Sequence, residues 1–196
     1  QYTLKPEQVL QLISASKNLR DKIIISSCYF PALRRFEVAK MKVEDIDFEK
    51  GRINVVGKYN KIAPIPVGSV YPNYIQDLKF FIQYVKRKEG YIFTDGKKPL
   101  EISRINQIFH ETAKIAKLKH PNPKTKKTKF GEKVRKINPH LLRHSQARHL
   151  KDLNFNIEFI KNYLRHDSIK STMDIYGTQS IDDMEKIAMK NRMMLE

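Results

Sequence analysis

A mainly helical chain carrying one small antiparallel β-sheet, an α+β fold, is what the sequence predicts. Two observations lead there. Apolar residues recur three and four positions apart along most of the chain, the spacing of helices that bury one face. Residues 45–67 break that rhythm: they alternate, favour Ile and Val, and are punctuated by Gly51 and Gly57, as paired strands require. Length agrees, because 196 residues can enclose one well-buried core with at most a small appendage.

Residues 1–5 read as the end of a linker, and the lack of a leading methionine fits a fragment or a processed product. Pro6 opens a helix that places Val9, Leu12 and Ile13 on one face. Residues 21–30 are apolar on nearly every side, as expected of a helix buried all round. In residues 31–41, Leu33, Phe36 and Met41 should hold the segment in the core, while Arg34 and Glu37, three apart, share a face. A charged pair in so apolar a segment is costly unless it is bonded or functional.

Asp45 to Phe48 is a weak strand, Glu49 to Gly51 a turn, and Arg52 to Val56 a β-branched strand. Residues 57–60 form a loop with Lys58 at the hairpin tip, and Lys61 to Val67 returns. Pro64 and Pro66 have the same parity, so both missing N–H groups face one side, which suits an edge strand. Ile75, Leu78, Ile82 and Val85 mark a further helix, stopped at Lys86 to Gly90. Tyr91 to Phe93 is a short buried run and Asp95-Gly96 a turn, after which Ser103 caps a helix bearing Ile105, Ile108, Phe109 and Thr112.

Charge narrows the function. Thirty-eight Lys and Arg against 21 acidic residues leave +17, which favours a polyanionic partner, nucleic acid first and an acidic membrane surface second. No Lys-rich helix with a bulky apolar face supports the membrane reading. From Lys114 to Lys136 there are ten Lys or Arg and one acid, Glu132, together with Pro121, Pro123 and Gly131. Residues 119–136 therefore read as a flexible basic loop, ordered by phosphate contacts from Lys124, Lys126, Lys127, Lys129, Lys133 and Arg135. No apolar run reaches the roughly 20 residues of a membrane span, and no signal-peptide pattern opens the chain. Cys28 is the only cysteine and cannot pair within the chain, so a cytoplasmic location, alongside DNA, is expected.

The most informative stretch runs from His140 to Tyr176. Asn138 can cap a helix that Pro139 opens, on which His140 and Arg143 share a face. A guanidinium fork grips two phosphate oxygens, and an imidazole moves a proton near neutral pH. Ser168 can cap another helix, whose Ile169, Thr172, Met173 and Tyr176 lie on one face. Singly, each has a bland reading: a Tyr on a helix face usually fills a core, and an Arg among helices usually pairs with a carboxylate.

The combination is more specific. His-x-x-Arg-His-Ser at 140–145, a hydrophobic segment, then His-Asp-Ser-Ile-Lys-Ser-Thr-Met-Asp-Ile-Tyr at 166–176 resembles the C-terminal signature of tyrosine recombinases, the phage integrase family. Ala32-Leu33-Arg34-Arg35-Phe36-Glu37 resembles the family's first box, usually Gly-Leu-Arg-x-Ser-Glu, with Ala32 for Gly and Phe36 for Ser. The resemblance spans residue 6 to about residue 190 and implies the tyrosine recombinase catalytic-domain fold over residues 6–179, without the family's N-terminal DNA-clamp domain. Arg34 then matches the first catalytic arginine (Arg35 if the register shifts by one) and Glu37 its supporting acid. Lys58, or failing it Lys61, matches the mobile lysine. Arg143 and His140 match the second box, His166 the third, and Tyr176 the nucleophile. The implied partners are double-stranded DNA and a homotetramer on synapsed sites, with no cofactor, no metal and no ATP.

Two departures stand out: Arg165 occupies the place of the usual Gly before the third-box His, where it adds a phosphate contact, and Gln146 replaces a Phe. Two other classes compete. A type IB topoisomerase shares the chemistry but fits the His166-to-Tyr176 spacing less well, and a catalytically silent DNA-binding module would not keep all six residues. A zinc pair at His140 and His144 has helical spacing but has Arg143 between its members and no third ligand. His110, His120 and His149 are read as structural or surface residues. Ser180 caps a tail helix over 180–196, with Asp182, Asp183 and Glu185 at its positive end and Ile181, Met184, Ile187, Ala188 and Leu195 as an apolar stripe. It folds back on its own domain or, as in similar recombinases, is exchanged between protomers.

Overall fold

The structure, a computed structural model, describes residues 2–56, 62–95, 98–123, 126–128, 131–165 and 180–193. Helix α1 (Pro6–Ser14) buries Val9, Leu12 and Ile13, with Pro6 at its start, as the periodicity requires. It lies against α2 (Leu19–Tyr29), where Ile23, Ile24, Ile25 and Cys28 are wholly enclosed. Asn18 starts α2 by accepting the Asp21 N–H at 2.9 Å. Truncating a side chain such as Ile24 to Ala would cost about 2–5 kcal/mol, because neighbouring elements meet α2 on all sides.

The residues read as a linker end are anchored instead. Leu4 is buried; its N–H donates to Ser145 Oγ at 2.9 Å, and its carbonyl lies 2.9 Å from His149 Nε2. His149 also shares a 2.7 Å bond with the Tyr29 hydroxyl, which makes it a structural residue.

After a turn at residues 30–34 comes α3 (Arg35–Lys40). Leu33 and Met41 are buried as expected, but Phe36 is 45% exposed. A helix of six residues turns one face inward, here Glu37, Val38 and Ala39, and Phe36 lies off that face. Strands β1 (Ile46–Asp47), β2 (Arg52–Val56) and β3 (Ile62–Ile65) form the small antiparallel sheet in that order, with Ile53 opposite both Ile46 and Ile65. Pro64 sits on edge strand β3 opposite Asn54. The return strand is shorter than expected, because Val67 already opens α4 (Val67–Val70). That helix touches the β1–β2 turn: Gly68 N–H donates to Gly51 O at 2.7 Å, and a Cβ on Gly68 would lie 2.8 Å from the Gly51 Cα.

Helix α5 (Pro72–Tyr84) buries Ile75, Leu78 and Ile82 and is followed by the short hairpin β4 (Thr94–Asp95) and β5 (Lys98–Pro99). In α6 (Ile102–Ile115) the cap falls on Glu101 rather than Ser103: Glu101 is extended, and its carbonyl accepts the N–H groups of Arg104 and Ile105. The basic segment is not wholly irregular. It folds into an antiparallel hairpin of β6 (Lys126–Thr128) and β7 (Gly131–Lys133), which Lys and Thr do not announce because the hairpin has no apolar alternation.

Helices α7 (Pro139–Asp152) and α8 (Ile157–Leu164) pack together, and α7 also lies on α2. Ser180 Oγ accepts the Asp183 N–H at 3.1 Å and caps α9 (Ile181–Met193). In this chain α9 seats against α4 with Met184 and Ala188 buried, and Arg52 of β2 holds Glu185 with two bonds of 2.7 and 2.9 Å. The helix expected from Ser168 to Tyr176 lies outside the described residues. Among those described, no helix is long and apolar enough to cross a membrane.

Candidate active site

Three chain turns are tied together through Arg34 and Arg143. The first precedes α3. Ala32 there adopts φ 50°, the left-handed region that favours glycine, and Leu33 N–H donates back to Ser27 O at 3.1 Å. Arg34 follows as the N-cap of α3. Its own N–H donates to Glu37 Oε2 at 2.7 Å, and its Nη1 donates to Glu37 Oε1 at 3.0 Å. Arg34, not Arg35, therefore makes the bonds to Glu37; Arg35 is exposed.

The second is the start of α7. Asn138 Oδ1 accepts the Leu141 N–H at 3.1 Å and Pro139 occupies the first turn, so the backbone carrying His140 and Arg143 is fixed from its first residue. Arg143 is buried, and its guanidinium donates to the carbonyls of Ala32 and Leu164. His140 faces the cleft mouth, its Nε2 lying 2.7 Å from Nε2 of His144 one turn on.

The third is the end of α8. Arg165 closes that helix at φ 52°, ψ 52°, again left-handed. Its carbonyl accepts Nη2 of Arg34 at 3.0 Å, and its guanidinium donates to Glu37 Oε2 at 2.7 Å. A phosphate contact from Arg165 is therefore corrected: the side chain is 9% exposed and points inward to Glu37, away from solvent. Both positions where the recombinase pattern has Gly thus carry positive φ, and the carbonyls of both residues accept from the two arginines.

A cleft beside the first two turns holds about 440 Å³ and is lined by Arg34, Arg35, Asn106, Asn138, His140 and Arg143, among others. Burial pulls the His140 imidazole below its ordinary 6.5, and the cations of Arg143 and Arg34 pull it further. His144 is lowered by burial, then by His140 and Arg143. Burial would raise the Glu37 carboxyl, but Arg165 and the bonds from Arg34 hold it below the ordinary 4.5. The result is a pocket with fixed guanidinium charge and a neutral imidazole, suited to an anionic oxygen and to proton acceptance.

Of the expected site residues, Arg34, Glu37, His140 and Arg143 are brought together. Lys58, Lys61, His166 and Tyr176 lie outside the described residues, as do Lys124 and Lys129. Lys126, Lys127 and Lys133 stand on the β6–β7 hairpin, and Arg135 is exposed just beyond it. Three neighbours stand beside the site in ways that sequence reasoning does not assign: Asn106, which lines the cleft and which no motif marks; His144, whose i,i+4 spacing from His140 is a signal; and Arg165, whose place in a glycine position is another. Among the described residues no three His, Cys, Asp or Glu side chains could share a metal ion, and the pair of His140 and His144 is flanked by arginines.

The sequence profile of the phage integrase family matches residues 2–181. The chain belongs to the phage integrase family. A tyrosine recombinase XerA of Pyrococcus horikoshii is 28% identical over 176 residues, covering 89% of this chain and 55% of the relative. A tyrosine recombinase of Pseudothermotoga lettingae is 28% identical over 195 residues, covering 98% and 61%. The chain thus spans little more than half the length of these relatives. The crystal structure of XerA recombinase superposes with a TM-score of 0.71 at 21% identity, covering 98% of this chain and 65% of that one, which shows the shared fold. The stretch that resembles the family's first box lies at the turn before α3 and the one that resembles its second lies on α7, so the helical scaffold brings together residues more than 100 positions apart.

Proposed function

We propose that residues 6–179 form the catalytic domain of a site-specific DNA recombinase, which cuts and rejoins strands through a 3′-phosphotyrosine at Tyr176. The observation that carries this reading is the convergence of Arg34, Arg143 and His140 on one cleft, with both arginines bonded to carbonyls at residues 164 and 165, directly before His166. Family membership and the charge of +17 support it.

In this scheme Tyr176 Oη attacks the scissile phosphorus and the bond to O5′ breaks. His140 takes the tyrosine proton, and Lys58 supplies one to the departing O5′. Arg34 and Arg143 stabilise the charge that gathers on the non-bridging oxygens, and His166 orients the phosphate. The ester keeps the bond energy, so the second transfer needs no ATP. Two guanidiniums and a lysine supply the cationic charge that a metal supplies elsewhere. The β6–β7 hairpin lies along the DNA backbone, and the working assembly is a homotetramer on two paired sites, in which α9 either stays seated on its own α4 or is exchanged between protomers.

The test uses a pool of duplexes nicked close to randomised core sequences, which trap the covalent intermediate by letting the short strand leave. Wild-type protein should give adducts resistant to denaturing gels, with or without excess chelator, and Tyr176→Phe should give none. Adducts that vanish in chelator and return with a divalent ion would overturn the metal-free scheme, and absence of any wild-type adduct would overturn the enzyme reading.

A further inference from the structure

Arg165 stands where neither backbone preference nor burial favours an arginine. A non-glycine residue at φ 52°, ψ 52° is strained by its Cβ. A guanidinium that is nearly enclosed loses much of its hydration, which is costly unless it is paired. Its partners offset much of both penalties, although its buried Nε has none among the described residues. Nη2 donates to Glu37 Oε2 at 2.7 Å and Nη1 to the Tyr163 carbonyl at 3.1 Å, while its own carbonyl accepts Arg34 Nη2 at 3.0 Å. Glu37 in turn accepts Arg34 Nη1 on its other oxygen at 3.0 Å. The bonds form a closed ring: Arg34 guanidinium, Glu37 carboxylate, Arg165 guanidinium, Arg165 backbone, and back to Arg34.

Charge makes the ring more than a brace. One carboxylate sits between two guanidiniums, so it neutralises neither fully. Without Arg165, the whole of Glu37's charge would fall on Arg34, the only other cation bonded to it among the described residues, and would weaken the attraction of Arg34 for an anion in the cleft. The ring also ties the last residue of the α8 turn to the start of α3, and His166 is the next residue along. We propose that Arg165 is a positioning residue for phosphate activation. It shares the Glu37 carboxylate so that Arg34 keeps its charge for the cleft, and it locks the turn that leads to His166. This rests on the recombinase reading above.

The test compares Arg165→Gly, which relieves the left-handed strain while removing the cation, with Arg165→Lys, which keeps a charge but not the fork. Each is made alone and with Glu37→Gln. Thermal melts, affinity for duplex DNA and single-turnover cleavage of the nicked pool are measured on the full chain. Arg165→Gly should bind DNA as wild type does but cleave on the order of tenfold more slowly. Adding Glu37→Gln should recover part of that rate, since the neutral amide no longer quenches Arg34. Arg165→Lys should fall between Arg165→Gly and wild type, and its rate should also depend on whether residue 37 is Glu or Gln. This second variant carries the test if the glycine variant does not fold. Unchanged cleavage in both variants, or decreases that simply add to those of Glu37→Gln, would overturn the proposal and leave Arg165 a structural residue. Wild-type protein that forms no adduct would instead count against the recombinase reading itself.

Discussion

Replacing Arg143 by Ala tests the cleft most severely, and the structure says two separate quantities should change. The guanidinium has five N–H donors, of which it directs some to the carbonyls of Ala32 and Leu164, both far from water. A bond from a charged donor contributes about 1.5–3 kcal/mol, so removing both should lower stability by roughly 3–6 kcal/mol, a large part of a typical total of about 5–15. The chemistry should suffer independently. Removing one donor to a developing oxyanion slows a reaction by about 10²–10³, and removing a whole fork should cost at least as much. Cleavage must therefore be read at a temperature where circular dichroism shows the variant folded. Under that condition, single-turnover adduct formation should fall by about three orders of magnitude. Arg143→Lys should recover little of it, because an ammonium cannot span the same two oxygens. A folded Arg143→Ala protein that cleaves within about tenfold of wild type would refute the assignment of Arg143 to the phosphate.

Other consequences follow from the same bonds. Because burial and Arg143 lower the His140 imidazole below 6.5, its neutral form is favoured in the folded chain, so the acid limb of cleavage against pH should lie below pH 6.5; a limb centred above pH 7 would contradict His140 as proton acceptor. Glu37 is held below its ordinary 4.5, so the stability it contributes is present above that pH and lost as pH falls through its folded value; melts of Glu37→Gln should lose this acid dependence, and an unaltered profile would count against the buried ring. Arg52→Ala removes the bonds to Glu185 and Asp182 and should loosen α9 by about 1 kcal/mol, seen as faster amide exchange over residues 181–193; unchanged exchange would mean that Met184 and Ala188 alone seat the helix. Charge reversal at Lys126, Lys127 and Lys129 should weaken binding to all DNA sequences alike and flatten the salt dependence by about one unit for each phosphate no longer neutralised, whereas an unchanged slope would leave the hairpin a solvated surface.

The sequence makes legible whatever depends on a regular period or a short spacing. The burial of Val9, Leu12 and Ile13, the all-round burial of α2, the cap at Asn138 and the edge position of Pro64 follow from periodicity and backbone chemistry. The pairing of Arg34 with Glu37 is equally legible, because a three-residue spacing at a helix start brings them together. What stays hidden depends on distant partners. Leu4 reads as linker because its burial comes from Ser145 and His149, more than 140 residues away. Arg165 reads as a phosphate contact because its carboxylate partner, Glu37, is 128 residues earlier. Phe36 reads as core because it stands in an apolar segment, yet a helix as short as α3 buries one face only, and Phe36 is off it. The basic hairpin has no apolar pattern to betray it.

The proposed scheme stands or falls with Tyr176 as the residue that joins DNA, next to the cleft lined by Arg34, His140 and Arg143. The most direct measurement digests the trapped protein–DNA adduct with protease and nuclease and locates the nucleotide-bearing peptide by mass spectrometry. A single modified residue, Tyr176, joined to a 3′-phosphate is expected. A nucleotide on any other residue, or a link to a 5′-phosphate, would contradict it.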